Sequence, residues 1–453
     1  MRSLLLAISA TIGLTLAAPA SSEDLIQIYD RAVQSDPALK EAEQNLYSTR
    51  EVKPQARALL LPNLGITANA QYQNDSITSH NPAYSDSLTS THRNETYSSR
   101  GLTASITQPV YNRADWIQLD QTSHTIAQAE AQYRDAQIAL MARTTVAYFD
   151  VLRAADAVHV QEALVLADER QLEQSKQRFD VGLVAITDVN ESQAAYDRAR
   201  ANLINAQNNL SNQWEALRRI IGPVNIPIER LGERLPLTPP QPNDINAWAN
   251  AAVKNNFGVI AAVEASQAAK KQIDIERSGH FPTFNLQAGY DLARSEAQVG
   301  TDSDSAFVAL NMVLPLYQGG GVTSRTRQAG YDFQAAQERV DQVRREVLNN
   351  VRDAFRGILS SISDVKARQA AVVSARSALE STQAGLEVGT RTQVDVLNAQ
   401  QRLFEAEFEY LSSRYDYIVN GVKLHQATST LTRDVLVKGN AWLNPKDIIS
   451  PPS

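Results

Sequence analysis

The chain has 453 residues, of which 43% are hydrophobic and only 6% aromatic, a composition typical of narrow helical seams rather than thick globular cores. Its formal net charge of −7 argues against a nucleic-acid partner, because binding phosphates requires a surplus of positive charge. The sequence contains no cysteine, which excludes disulfides, thiol catalysis and cysteine-ligated metals.

Residues 1–20 have the pattern of a secretory signal peptide. Arg2 precedes a mostly apolar run from Leu4 to Ala17, and Ala18-Pro19-Ala20 is a small-x-small cleavage pattern. An N-terminal membrane anchor is the alternative, although the run is short for a span. Because no later window holds about 18 uninterrupted apolar residues, a membrane crossing elsewhere in the chain requires strands.

The next segments contain a helical pattern and then a strand pattern. A helical pattern over residues 22–61 breaks at Asp36-Pro37. After Pro62, apolar and polar residues alternate with a period of two, and the alternation resumes before Pro109. These stretches predict a β-hairpin over residues 62–110, with a long polar loop over residues 75–99.

Two long helical patterns follow, joined by a Val-Gly turn. The first covers residues 112–180, which would extend for about 100 Å at about 1.5 Å per residue. The second covers residues 188–221 and places apolar and small residues at heptad spacing, which predicts a coiled coil. The turn between them is predicted at residues 181–187.

The same order then recurs, which indicates two copies of one structural unit. A helical segment over residues 245–277 precedes a second predicted hairpin at 282–316, a long helix at 323–387, a Val-Gly turn at 388–394 and a second heptad series. We therefore predict repeat 1 at residues 21–224, repeat 2 at 244–432, a proline-rich linker at 225–243 and an irregular tail at 433–453.

Four amphipathic strands cannot close a barrel, because about eight strands is the practical minimum. Open sheet edges are not tolerated in a bilayer, so other copies of the chain must complete the sheet: a dimer would supply eight strands and a trimer twelve. A small water-soluble sheet is the alternative. The short helices, stacked end to end, match the long helix in length, which predicts a membrane barrel continued by a hollow helical cylinder.

The sequence resembles the TolC family of outer-membrane efflux ducts over essentially all of its mature length. The residues that carry this resemblance are QRF at 177–179, VGLVAITDV at 181–189, LPLYQGG at 314–320, VGTRT at 388–392 and VDVL at 394–397. The resemblance implies a mainly α fold with a membrane β-barrel: a homotrimer with twelve strands and a long α-helical periplasmic tunnel. It further implies a passive channel, without cofactor, that exports small molecules or proteins.

The resemblance also implies partners and sites. The partners are outer-membrane lipid, a periplasmic adaptor (a membrane fusion protein) and an inner-membrane transporter of the RND, ABC or MFS type. The implied sites lie at the two turns: a gate latch, a pore-constriction ring and adaptor-docking tips. The latch comprises Gln177, Thr187, Asp188 and Arg391; the ring comprises Asp395 and Asn398; the docking tips comprise Gly182, Leu183, Val184, Gly389 and Thr390.

The sequence departs from the family pattern at two of these positions. Asn398 stands where the ring usually has a second aspartate, and Leu386 stands where an aromatic hydroxyl usually joins the latch. The acidic residues also have a local interpretation. Asp188 with Glu191 fits a capping box, and Asp395 lies in the first turn of its helix, where a carboxylate is favoured.

No catalytic motif is recognisable in the sequence. The six histidines lack metal-ligand spacing, and Gly319-Gly320-Gly321 lacks the Lys-Ser/Thr of a phosphate-binding loop. Two other functions remain open: a coiled-coil structural protein of the cell envelope without a pore, and a general diffusion porin, which would need more strands per chain. An enzyme is the least favoured class. The sequence does not identify the cargo.

Overall fold

The computed structural model describes residues 22–80, 90–297 and 300–452, so the predicted signal peptide lies outside the described residues. Repeat 1 contains α1 (Leu25–Ser35), α2 (Pro37–Arg50), α3 (Val52–Ala58), β1 (Asn63–His80), β2 (Ser90–Tyr111), α4 (Arg113–Asp180) and α5 (Ile186–Ile221). The strand β3 (Ile228–Leu231) follows. The remaining elements are α6 (Ile245–Asn255), α7 (Phe257–Arg277), β4 (Thr283–Ser295), β5 (Thr301–Val313), α8 (Gly321–Glu387), α9 (Gln393–Ala427), α10 (Arg433–Asn440) and β6 (Leu443–Ile449).

The chain divides into two compact units. One unit comprises Glu43–Gln132 and Gly258–Val343 and contains the large sheet. The other unit comprises the residues before, between and after these two ranges and contains both turns. None of the helices among the described residues is both long and apolar enough to cross a membrane.

The large sheet has four antiparallel strands in the order β1-β2-β4-β5. Its apolar side chains lie on one face: Leu64 pairs with Ile106, which pairs with Ala288, which pairs with Val308. Leu64 and Val308 keep 75% and 76% of their side-chain surface exposed in the single chain. The period-two prediction is therefore confirmed, and the sheet presents a continuous apolar face.

The predicted polar loop at 75–99 is wrong in its extent. The strands extend into this region from both sides, with β1 described as far as His80 and β2 from Ser90 onwards. Backbone pairing persists from Asp75↔Glu95 to His80↔Ser90 although the alternation of apolar side chains has stopped. Inter-strand hydrogen bonds depend on backbone register, so a ladder can extend beyond the residues that need an apolar face.

The other unit is a helical bundle with an aromatic core. Tyr148 and Phe149 of α4, Trp214 of α5 and Tyr415 of α9 are fully buried. The heptad pattern predicted for α9 is confirmed at Val396, Leu403, Tyr417 and Leu424, all of which are buried along one side of the helix. Helix packing here follows from an apolar stripe with heptad spacing.

The predicted irregular tail and proline-rich linker are corrected by the structure. The tail folds into α10 and β6, and β6 pairs antiparallel with β3 from within the linker. The hydroxyl of Tyr148 donates to the Glu229 carbonyl at 2.7 Å, and Ile228 and Ile449 are buried. These two short strands were not predicted, because strands stabilised by tertiary packing show little pattern in the local sequence.

The helical segment predicted over residues 245–277 is two helices separated at Asn256. The backbone of Asn256 is extended (φ −66°, ψ 125°), like that of Asp36 (φ −63°, ψ 119°) at the corresponding break in repeat 1. Asp36 precedes a proline, which makes the first break visible in the sequence. Asn256 precedes phenylalanine, and its side-chain amide instead donates to the Ala427 carbonyl at 3.0 Å. A tertiary contact accompanies the second break.

Candidate functional site

The two Val-Gly turns have the same backbone structure. Gly182 and Gly389 adopt φ values of 76° and 78°, in the left-handed region that favours glycine. At the first turn, the amides of Leu183 and Gly182 donate to the carbonyls of Arg178 and Phe179. The equivalent pair of bonds closes the second turn at Gly385 and Leu386. Both long helices therefore end in a Schellman motif, which explains the repeated glycine.

The helices that leave the turns begin differently. Helix α9 has a complete capping box: the Thr392 hydroxyl accepts from the Asp395 amide, and the Asp395 carboxylate accepts from the Thr392 amide at 2.9 Å. Helix α5 begins after Ala185, whose side chain makes no capping bond. The predicted capping box of Asp188 with Glu191 is therefore wrong, because the helix begins at Ile186 and places Asp188 in its first turn.

The Asp395 carboxylate stays ionised over the neutral and mildly acidic range. Hydrogen bonds from the Thr392 amide and hydroxyl lower its pKa, and the Arg391 charge lowers the pKa further. Because the pKa falls on folding, the cap contributes stability above the ordinary aspartate pKa and loses it as the pH drops through the lower, folded value. Acidification from pH 7 to pH 5 therefore leaves this charge in place.

The structure does not bring the four latch residues together within one chain. The Gln177 amide donates to Glu173 on its own helix at 2.9 Å. Thr187 is exposed, and the Asp188 carbonyl accepts from the Ser192 hydroxyl one turn further along α5. Among the described hydrogen bonds and ion pairs, none joins Arg391 to the first turn. A latch that uses these side chains must therefore act between chains.

The docking residues and the ring residues remain exposed or partly exposed in the single chain. Leu183 at the first turn is 74% exposed and Val388 at the second is 75% exposed, while Val184 is half-buried and Gly182, Gly389 and Thr390 are exposed. Asn398 is exposed three residues beyond the half-buried Asp395, so both lie on the same side of α9. The first turn is thus apolar, and the second carries the charges.

Two buried polar contacts, absent from the predicted sites, join α9 to the first helical hairpin near these turns. The Gln393 amide donates to the Ser192 hydroxyl at 3.3 Å, and Ser192 lies 3.0 Å from the Ser175 hydroxyl. The Gln400 amide donates to the Asp168 carboxylate at 2.8 Å. Gln393 and Gln400 are seven residues apart, as are Asp168 and Ser175. Polar residues at heptad spacing within the mainly apolar stripes of these helices were the available sequence signal.

Asp168 is the most perturbed carboxylate of this region. Burial against α5 and α9 raises its pKa to about 6, and the Arg198 charge opposes this rise. Asp168 borders a groove of about 250 Å³ that is lined by α4, α5 and α9. In the part of the chain that the structure describes, no group of three or more acidic or histidine side chains is placed to hold a metal.

Comparison with known proteins identifies the family. The outer membrane efflux protein family matches residues 28–223 and 248–430. The chain belongs to this family. It is 36% identical over 441 residues to outer membrane protein TolC of Vibrio cholerae, covering 96% of this chain and 97% of the relative. It is 27% identical over 436 residues to alkaline protease secretion protein AprF of Pseudomonas aeruginosa, covering 94% and 88% of the respective chains.

A solved structure shows the same fold. The outer membrane protein VceC of Vibrio cholerae superposes with a TM-score of 0.72 at 19% identity, covering 89% of this chain and 95% of that one. The present chain is therefore an outer-membrane channel for efflux or secretion, and it is not an enzyme. The predicted resemblance, the mainly helical fold with a strand-based part and the outer-membrane location are confirmed.

The capping box of α9 predicts unequal effects for two threonine substitutions. Thr392→Ala removes the hydroxyl that accepts from the Asp395 amide, so amide exchange in the first turn of α9 should accelerate about fivefold, the equivalent of about 1 kcal/mol. Thr187→Ala is the matched control, because the cap of α5 uses no side chain. Hydrogen–deuterium exchange measured by mass spectrometry compares the two variants. Equal acceleration would contradict a special role for Thr392.

Proposed function

We propose that the chain acts as a homotrimeric, passive duct, with a gate at its two turns, after removal of residues 1–20. The four-stranded sheet carries this proposal. Its apolar face is exposed in the single chain, and its outer strands β1 and β5 each have one edge unpaired among the described residues. In hydrocarbon, every backbone N–H and C=O group requires a partner.

A trimer gives hydrogen-bond partners to the backbone groups of these edge strands. Joining β5 of one copy to β1 of the next gives a closed twelve-stranded barrel, whereas a dimer would give only eight strands. Eight strands enclose a space that side chains fill, so a conducting pore favours the trimer. The apolar face then contacts outer-membrane lipid, and the long helices of three copies enclose the tunnel.

The gate is assigned to the second turn and the start of α9. In the trimer, Arg391 of one copy is proposed to contact Thr187 and Asp188 of its neighbour, with Gln177 close by. This assignment is supported by the exposure of Arg391, Thr187 and Gln177, and no described hydrogen bond or ion pair joins Arg391 to the first turn within the chain. Asp395 and Asn398 are proposed to form the ring at the narrowest point of the pore, with Asp395 supplying three carboxylates.

Docking is assigned to the exposed turns. Leu183 and Val184 give the first turn an apolar surface, and the Gly182 and Gly389 turns with Thr390 add exposed backbone. Such a surface suits the helical hairpin of a periplasmic adaptor. The adaptor would connect the duct to an inner-membrane transporter of the RND, ABC or MFS type, which supplies the energy. The proposed cargo is small molecules, proteins or both.

Two measurements on the purified, detergent-solubilised protein test the duct. Unheated samples should contain a species of three times the mass of the chain that remains after removal of residues 1–20, and reconstitution into planar lipid bilayers should give discrete conductance steps. Since the chain has no native cysteine, single cysteines placed on β1 and β5 should crosslink neighbouring copies without background. A monomer that gives no conductance steps would reject the proposal.

Loss of the second-turn arginine should open the gate. Arg391→Ser removes a solvated contact that is worth about 1 kcal/mol or less, so single-channel recordings should show up to about a fivefold increase in the open-to-closed ratio. Arg178→Ser, which removes the same charge from the last turn of α4, is the matched control. An unchanged ratio for Arg391→Ser, or an equal rise for Arg178→Ser, would remove Arg391 from the latch.

Restoring a second acidic position should strengthen cation selectivity. Asn398→Asp raises the number of ring carboxylates in a trimer from three to six, and like charges in a narrow ring attract cations. The cation-to-anion permeability ratio should rise at least about twofold, with stronger block by polyvalent cations, as measured from reversal potentials in a salt gradient. Asn398→Ser changes the side chain without adding charge and should leave selectivity near that of the native protein. Unaltered selectivity in Asn398→Asp would place residue 398 outside the ring.

A further inference from the structure

The hydrogen bond between Asp168 and Gln400 is unlike the exposed contacts at the turns. Both residues are only 5% exposed, and the bond joins the last turns of α4 to the first turns of α9, two helices that belong to different hairpins. A buried polar pair of this kind specifies how two helices align, whereas apolar contacts alone permit sliding. Any movement of α9 away from α4 must break this bond.

The second buried contact lies two helical turns closer to the tip on the same side of α9. Gln393 and Ser192 are buried, as is Ser175, whose hydroxyl faces Ser192. This contact involves hydroxyl and amide groups, which do not titrate between pH 5 and pH 7. Of the two contacts, only the one at Asp168 responds to protons in this range.

We propose that Asp168 and Gln400 are positioning residues of the gate, which hold α9 on α4 in the closed channel and release it when Asp168 is ionised and hydrated. This inference rests on the proposed gate and adds to it a control inside the helical seam, away from the turns. Asp168 acts through α9 and not by contact with the cargo.

The environment of Asp168 supplies the physical basis. The charged side chains lining the adjoining groove are Glu191 and Arg198 from α5 and Glu405 from α9. Only Arg198 offers the carboxylate an opposite charge, and burial outweighs it, so the pKa of Asp168 is about 6 in the closed arrangement. Because the groove already borders Asp168, a small displacement of α9 would bring water to the carboxylate and return its pKa towards the ordinary value.

The sign of the pH effect follows from this difference. The closed arrangement binds the proton more tightly than a hydrated one, so protons favour closure, and ionisation favours release. With pKa values of about 6 and about 4 in the two states, the closed-to-open ratio should rise about tenfold per chain between pH 7 and pH 5. Asp395 remains ionised throughout this range and does not contribute.

Single-channel recordings of the full-length protein at pH 5, 6 and 7 test the inference. The native channel should open more often as the pH rises. Asp168→Asn keeps the size of the side chain and an oxygen that accepts from Gln400, so this channel should stay mostly closed and lose the pH dependence. Gln400→Glu places a second carboxylate against Asp168 and should increase opening at pH 7. Gln207→Glu is the matched control, since Gln207 is exposed on α5 and does not line the groove.

The outcomes distinguish failure of the proposed gate from failure of its regulation by Asp168. An Asp168→Asn channel with the native pH profile would overturn the inference, as would equal opening by Gln400→Glu and Gln207→Glu. If Arg391→Ser still opens the channel in that case, the proposed gate stands without regulation by Asp168. A protein that forms no channel in any variant would reject both. Circular dichroism confirms that each variant keeps its helices, so that a loss of packing is not read as gating.

Discussion

The backbone hydrogen bonds of the outer strands set the strongest constraint on this molecule. A strand at the edge of a sheet has N–H and C=O groups that water can satisfy and hydrocarbon cannot. Strands β1 and β5 both occupy such edges, and the sheet that they border has an exposed apolar face. One chain is therefore incomplete as a membrane structure. The proposed trimer follows from this requirement, and a gate formed between chains becomes possible because the chains must assemble.

In the helical unit, apolar side chains favour the packing of α9, and buried hydrogen bonds determine how α9 aligns with its neighbours. Apolar residues such as Leu403 and Val396 give α9 a stripe that favours packing, and their contribution changes little if the helix shifts slightly. The buried bonds from Gln393 and Gln400 require one particular alignment. Burying Asp168 costs free energy at neutral pH, so the seam is less stable there than an entirely apolar one would be. In the proposed gate, this lower stability would make the contact between α9 and α4 easier to break.

Much of the fold was predictable because its signals are local. Alternation identified the strands around Leu64 and Leu286, heptad spacing identified α9, and the glycines of the two turns identified the duplication. The prediction was wrong where a tertiary contact replaced a local signal: at Asn256, in the β3–β6 pair, and in the extension of the first hairpin. At the candidate site, capping at Asp395 was anticipated, whereas the Asp188 capping box depended on a helix start that lies at Ile186.

The amino-acid sequence by itself determined the repeated order of helices and strands, the two glycine turns, the amphipathic faces and the position of the charges at the second turn. These features follow from side-chain periodicity and backbone preference, which act over a few residues. Only the tertiary structure decided which polar residues are buried together. Asp168 and Gln400 are 232 residues apart, and the carboxyl group has an unusual pKa only because α4, α5 and α9 pack around it and exclude water.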